Sequence, residues 1–80
     1  MSNKLTIIDV RTPAEFNLGH VQGSTNIPLN EIPSRINEVK ALPQPIVLCC
    51  ASGMRSGQAT QFLLQHGISC TNGGSWLSLN

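Results

Sequence analysis

Apolar positions recur along this chain with two alternating periods. Leu5-Thr6-Ile7-Ile8-Asp9-Val10 is β-branched and apolar on both faces, the pattern of a central strand in a parallel sheet. Pro45-Ile46-Val47-Leu48 is a second short apolar run, led by a proline, and reads as a buried strand. Ile68-Ser69-Cys70-Thr71 predicts a final strand, and Thr25 to Ile27 a very short one. Between these runs the period lengthens. Gln58 to His66 sets Ala59, Phe62 and Leu63 on one side of a helix, with Gly67 as its C-cap. Glu31 to Ala41 sets Ile32, Ile36 and Val39 on an inner face, with Pro33 tolerated in the first turn and Leu42-Pro43-Gln44-Pro45 ending the helix. A single helical turn follows Thr12, a natural N-cap with Pro13 first and Glu15 third, and Gly19 stops it. The stretch from Gly19 to Pro28 is a loop. Asn72-Gly73-Gly74 predicts a turn, and Ser75 to Leu79 a last turn of helix.

Strands alternating with helices at these spacings predict an α/β fold: a small, mostly parallel four-stranded sheet flanked by helices on both faces. Eighty residues without repeat, low-complexity segment or linker form a single domain, 1–80. A chain of this length buries about 60–65% of its unfolded surface. In such sheets ligands bind at the carboxyl ends of the strands. Arg11, Cys50 and the pair Gly73-Gly74 all fall at that edge.

Composition removes several function classes. A net charge of +1 points to neither nucleic acid nor an anionic membrane surface. One Trp, two Phe and no Tyr supply no stacking platform for single strands. No apolar run approaches the roughly 20 residues of a membrane span. Met1-Ser2-Asn3-Lys4 lacks the apolar core of a secretion signal, so the expected location is cytoplasmic. Three cysteines are an odd set for a disulfide scaffold. His20 and His66 show no paired ligand spacing with them, so no metal site is expected.

The chemistry concentrates in Cys49-Cys50-Ala51-Ser52-Gly53-Met54-Arg55-Ser56-Gly57, between the strand at 45–48 and the helix at 58–66. Small residues there let the backbone curl until several N–H groups point at one sulfur, an anion cradle strengthened by the following helix N-terminus. Both effects favour a thiolate over a thiol. Arg55 adds a fixed positive charge. Cys50 is therefore the expected nucleophile, against the plain alternative of a buried structural thiol. Cys49, on the opposite side of the strand, reads as core, as does Cys70. Arg11 and Glu15, four apart around a helix start, suggest a structural ion pair. Asp9 is expected to brace the loop or Arg11, and His20 to pin its own loop. His66 is expected to be an inert cation at a helix C-terminus.

Four separate pieces carry a resemblance. Cys50-Ala51-Ser52-Gly53-Met54-Arg55-Ser56 resembles the active-site loop of the rhodanese family of thiosulfate and related sulfurtransferases. Asp9-Val10-Arg11 with Glu15-Phe16 resembles that family's early pattern. Gly19 to Pro28 resembles its next signature, and Gly73-Gly74 with Trp76 its closing one. The resemblance spans residues 5 to 76 in family order. It implies that the Cys50 thiolate attacks the outer sulfur of a donor such as thiosulfate or a persulfide and becomes a persulfide itself. A thiol, cyanide or a protein partner would then accept that sulfur. Ala51, Ser52, Gly53, Met54 and Ser56 would line the cradle and Arg55 would bind the anionic donor, with Asp9 and Arg11 behind them. No cofactor is implied. Most members begin with a further strand and helix, whereas only four residues precede Leu5, so this resembles a minimal single-domain form.

Two other readings compete. Counted from Cys49, the loop has the five intervening residues of protein tyrosine phosphatases; counted from Cys50, the four of sulfurtransferases. The choice turns on which cysteine faces the cradle. A binding module that relays sulfur to a protein partner is the third reading, since fold alone does not guarantee activity.

Overall fold

A computed structural model describes residues 5–79. The reading of Met1-Ser2-Asn3-Lys4, and the limits of the domain at 1 and 80, lie outside the described residues. Four strands form one sheet: β1 (Thr6–Asp9), β2 (Thr25–Asn26), β3 (Ile46–Cys50) and β4 (Cys70–Ser75), in the order β2-β1-β3-β4. Every neighbouring pair is parallel, so the predicted mostly parallel sheet is parallel throughout. β1 and β3 lie at the centre, which explains why Ile7, Ile8, Ile46, Leu48 and Cys49 are buried on both faces.

The two faces are covered unequally. On one, α3 (Met54–Gln65) and α2 (Ile36–Lys40) close over Ile8, Val10, Ile46, Leu48, Cys50 and Cys70, and Ile27, Ile32, Val39, Ala59, Leu63 and Ile68 complete this main core. On the other, Ile7, Val47 and Cys49 are covered by Val21 from a loop and by Trp76 and Leu79 from a closing 3-10 turn, Trp76–Leu79. The first helix, α1 (Pro13–Asn17), starts with the predicted box: Glu15 N–H donates to Thr12 Oγ1 at 3.2 Å, and Thr12 N–H donates to Glu15 Oε1 at 3.0 Å.

Several element bounds differ from expectation. The continuous helix over 31–41 is instead two 3-10 turns, Leu29–Glu31 and Pro33–Arg35, followed by α2. Pro33 has no N–H to donate to Leu29 and so breaks the ladder, although Ile32, Ile36 and Val39 still face the core. β3 continues through both cysteines. α3 starts at Met54 rather than Gln58, launched by Gly53 at φ +102°, a conformation that favours glycine. Polar and small residues in that first turn hid the helical period. Finally, β4 runs through the glycine pair where a turn was expected. Leu48 pairs with Asn72 but Cys49 pairs with Gly74, so Gly73 is the extra residue of a β-bulge. A Cβ on Gly73 would lie 2.7 Å from Val47 Cγ1 and 3.1 Å from the Leu48 carbonyl oxygen, which explains the bare glycine there.

Candidate active site

Strand alternation decides the fate of the adjacent cysteines. Cys50 turns toward the α3 side and Cys49 toward the thin face. At the carboxyl end of β3 the chain makes a three-residue loop, Ala51 to Gly53, and enters α3 at once. The loop curls around Cys50 Sγ. The Gly53 N–H donates to it at 3.0 Å and the Ser56 N–H at 3.4 Å, and Ser56 Oγ lies 3.4 Å away. Both Cys50 and Ser56 are fully buried. The N-terminus of a twelve-residue helix thus points at the sulfur, adding partial positive charge.

The electrostatics follow from this geometry. Burial pushes the Cys50 thiol up, but hydrogen bonds from Ser56, through hydroxyl and N–H, and from the Gly53 and Ser52 N–H groups outweigh it, and its pKa falls to about 7. Cys49 has no such donors; burial, reinforced by the Asp9 carboxylate, pushes it up to about 12. Burial also raises Cys70. All three cysteines are free.

Among the residues expected in the cradle, Ser52, Gly53 and Ser56 turn donors onto the sulfur. Ala51 and Met54 are solvent-exposed. Arg55 is engaged elsewhere: Nη1 and Nη2 donate to the two carboxylate oxygens of Glu15, at 2.7 and 3.0 Å. That pairing, first among its causes, holds the Glu15 carboxyl down at about 2. The expected Arg11–Glu15 ion pair is therefore corrected, because Arg11 reaches only the Glu15 backbone carbonyl, at 3.3 Å. Its guanidinium is instead buried against Asp9, with Nε at 2.9 and 3.0 Å from the carboxylate oxygens and Nη2 at 2.6 Å. Arg11 also donates to the Gly19 carbonyl at 2.7 Å and packs under the Trp76 ring, 4.6 Å from its centroid. Asp9 and Arg11 thus sit on the Cys49 side and buttress α1, which in turn presents Glu15 to Arg55.

His20 pins its loop as expected: Nδ1 lies 2.8 Å from the Phe16 carbonyl and the ring stacks on Phe16 at 3.7 Å. His66 repeats the arrangement with Phe62 at the end of α3. Among the described residues no group of three or more His, Cys, Asp or Glu could hold a metal ion, and no helix is long and apolar enough to cross a membrane.

Sequence reasoning missed Asn72. Its Oδ1 accepts from Ser56 Oγ at 2.6 Å and from the Gly74 N–H at 3.0 Å, and its Nδ2 donates to the Gly53 carbonyl at 3.0 Å. Asn72 pairs with Leu48 before the bulge, and no local pattern in the sequence announces its reach to Ser56.

A buried cysteine thus ends a central strand of a parallel α/β sheet, with amide donors turned onto its sulfur. The chain belongs to the rhodanese-like domain family, which it matches over residues 1–76. It is 44% identical over 68 residues to the uncharacterized protein YqhL of Bacillus subtilis, covering 85% of this chain and 52% of YqhL. It is 41% identical over 65 residues to the thiosulfate sulfurtransferase PspE of Escherichia coli, covering 78% of this chain and 61% of PspE. The chain therefore spans about half to three-fifths of these relatives' lengths. Among solved structures, an E. coli rhodanese with anions superposes with a TM-score of 0.83 at 34% identity, over 94% of this chain and 91% of that one.

Proposed function

We propose that this protein is a sulfurtransferase that carries sulfane sulfur on Cys50. The observation that carries this reading is the convergence of the Gly53 and Ser56 N–H groups and the Ser56 hydroxyl on one buried sulfur. The two N–H groups, fixed in place where negative charge resides, stabilise it without reorganisation. They support a thiolate at neutral pH and, after transfer, the anion of a persulfide.

In the proposed cycle the Cys50 thiolate attacks the outer sulfur of thiosulfate or a donor persulfide. The S–S bond of the donor breaks, and its electron pair leaves on sulfite or on the donor thiolate. No general acid is needed, because these leaving groups depart as stable anions. The thiolate of an acceptor thiol, or cyanide, then attacks the outer sulfur of the Cys50 persulfide and restores the Cys50 thiolate. Arg55 lies at the mouth through α3, and its release from Glu15 would give an anionic donor its partner. Covalent transfer in two halves requires ping-pong kinetics. A protein acceptor is the same chemistry with a different thiol. Three free cysteines suit a reducing compartment, and a cytoplasmic setting is part of the proposal.

The phosphatase reading is disfavoured. It needs Cys49 as nucleophile, and Cys49 faces the opposite side of the sheet with its thiol pushed up to about 12. Initial rates of thiocyanate formation, measured over a grid of thiosulfate and cyanide concentrations, test the proposal. Parallel double-reciprocal lines are expected. No thiocyanate, with hydrolysis of phosphate esters instead, would overturn it.

A further inference from the structure

Asn72 is held in one orientation by its neighbours. Oδ1 takes the Gly74 N–H and Nδ2 gives to the Gly53 carbonyl, both at 3.0 Å. A flipped amide would set donor against donor at Gly74 and oxygen against oxygen at Gly53. Oδ1 therefore faces Ser56 Oγ, 2.6 Å away, as an acceptor.

The Ser56 hydroxyl carries one hydrogen and has two neighbours that can take it: Asn72 Oδ1 and Cys50 Sγ at 3.4 Å. While Cys50 is a thiol, the arrangement is complete. The S–H points at Ser56 Oγ, and the Ser56 hydrogen points at Asn72. Once Cys50 ionises, its sulfur only accepts. A Ser56 hydrogen still aimed at Asn72 would leave a hydroxyl lone pair against a buried anion, so the hydrogen must turn to the sulfur. Asn72 then keeps the Gly74 N–H alone.

Resting on the reading of Cys50 as nucleophile, we propose that Asn72 is a positioning residue that acts on Cys50 through Ser56. It is the second acceptor that holds the Ser56 hydrogen while Cys50 is a thiol and yields it when Cys50 is a thiolate. Proton accounting is simple: the thiol proton leaves to solvent, and the Ser56 hydrogen stays on Ser56 and changes only its direction. The buried hydroxyl is thereby satisfied in both states, where an unsatisfied one would be costly. Asn72 also competes with the sulfur for that hydrogen, and so sets how readily Cys50 ionises.

The test is a double-mutant cycle read on the pH profile of Cys50 alkylation by iodoacetamide, quantified at the Cys50 peptide by mass spectrometry. The four proteins are the parent, Asn72→Ala, Ser56→Ala and the double variant. Asn72→Ala is expected to lower the alkylation midpoint by at least about half a pH unit more when Ser56 is present than when it is absent. If Asn72 only braces the loop through Gly53, both backgrounds shift alike, and the proposal is overturned. Asn72→Asp, which keeps an acceptor of the same size, is the second arm. It should raise the midpoint, and by more with Ser56 present than without; equal rises would equally overturn the proposal. Alkylation needs no sulfur donor, so a failure of sulfur transfer would strike the proposed function while leaving this coupling measurable.

Discussion

Glu15 and Arg55, forty residues apart, meet through two parallel hydrogen bonds of 2.7 and 3.0 Å between carboxylate and guanidinium. The pair ties α1 to the start of α3 beside the Cys50 loop, and it neutralises the Arg55 charge. Both side chains are about one-third exposed, so the bond is screened and exchangeable rather than fixed.

Glu15→Gln should therefore improve donor binding. A Gln at this position keeps the capping box, since its amide oxygen still accepts the Thr12 N–H, while Arg55 loses its carboxylate. The KM for thiosulfate is expected to fall several-fold at low ionic strength with little change in kcat, and the gain to fade in high salt as screening grows. Arg55→Ala should raise KM instead. Steady-state kinetics at two salt concentrations check both. An unchanged KM in Glu15→Gln would mean that Arg55 does not meet the donor.

The Cys50 thiol, lowered to about 7, sets the pH dependence. Loading by thiosulfate should rise with pH to a midpoint near 7 and level off by about pH 8, well below the reference thiol range near 8.5. Stability carries the same signature. Cys50 ionises more readily folded than unfolded, so its contribution is complete above the unfolded pKa and is lost as pH falls through 7. Between about pH 7 and 8.5 stability should rise with pH by about 1–2 kcal/mol, and Cys50→Ser should flatten that slope. Cys49 works in the opposite sense: its folded pKa is raised to about 12, so its contribution is complete below the unfolded thiol pKa near 8.5 and is lost as pH rises beyond it. Urea denaturation at a series of pH values measures the slope.

Asp9→Ala should destabilise the fold severely. It strips the partner from Arg11, a residue only 4% exposed, and uncompensated buried charges cost about 3–5 kcal/mol. Asp9→Ala combined with Arg11→Met should recover part of the loss. Denaturant midpoints decide. Equal stability of the single and double variants would show that the Arg11 charge is not what the carboxylate serves.

Gly73→Ala probes the bulge that follows Asn72 in β4. The new Cβ would clash with Val47 and the Leu48 carbonyl, and relieving such overpacking costs about 1–3 kcal/mol. Because the bulge also sets the register of Gly74 and Ser75 against the two cysteines, thiosulfate loading should slow along with the loss of stability. Thermal melts and loading rates measured together test this. A fully stable Gly73→Ala with slowed loading would separate the two effects and contradict the packing argument.

The sequence conveys what depends on short range. Doubly apolar runs at Ile7-Ile8 and Ile46-Val47-Leu48 place the central strands, Thr12-Pro13-Ala14-Glu15 writes its own helix start, and alternation alone separates Cys49 from Cys50. What it conceals depends on residues far apart in the chain. Glu15 has a complete local role in the capping box, so nothing nearby signals its second partner, Arg55. The glycine pair reads as a turn because a bulge within a strand and a reverse turn favour the same residues. Asn72 becomes part of the site only once β4 has paired with β3 and set it opposite Leu48, within reach of Ser56. The first turn of α3 is hidden because Met54-Arg55-Ser56-Gly57 serves the sulfur with its backbone and has little apolar period to show.

Intact-protein mass spectrometry after thiosulfate treatment, with Cys49→Ser and Cys50→Ser beside the parent, tests the central claim most directly. The parent and Cys49→Ser are each expected to gain the mass of one sulfur and lose it to cyanide, while Cys50→Ser gains none. Loading that survives in Cys50→Ser but disappears in Cys49→Ser would contradict that claim.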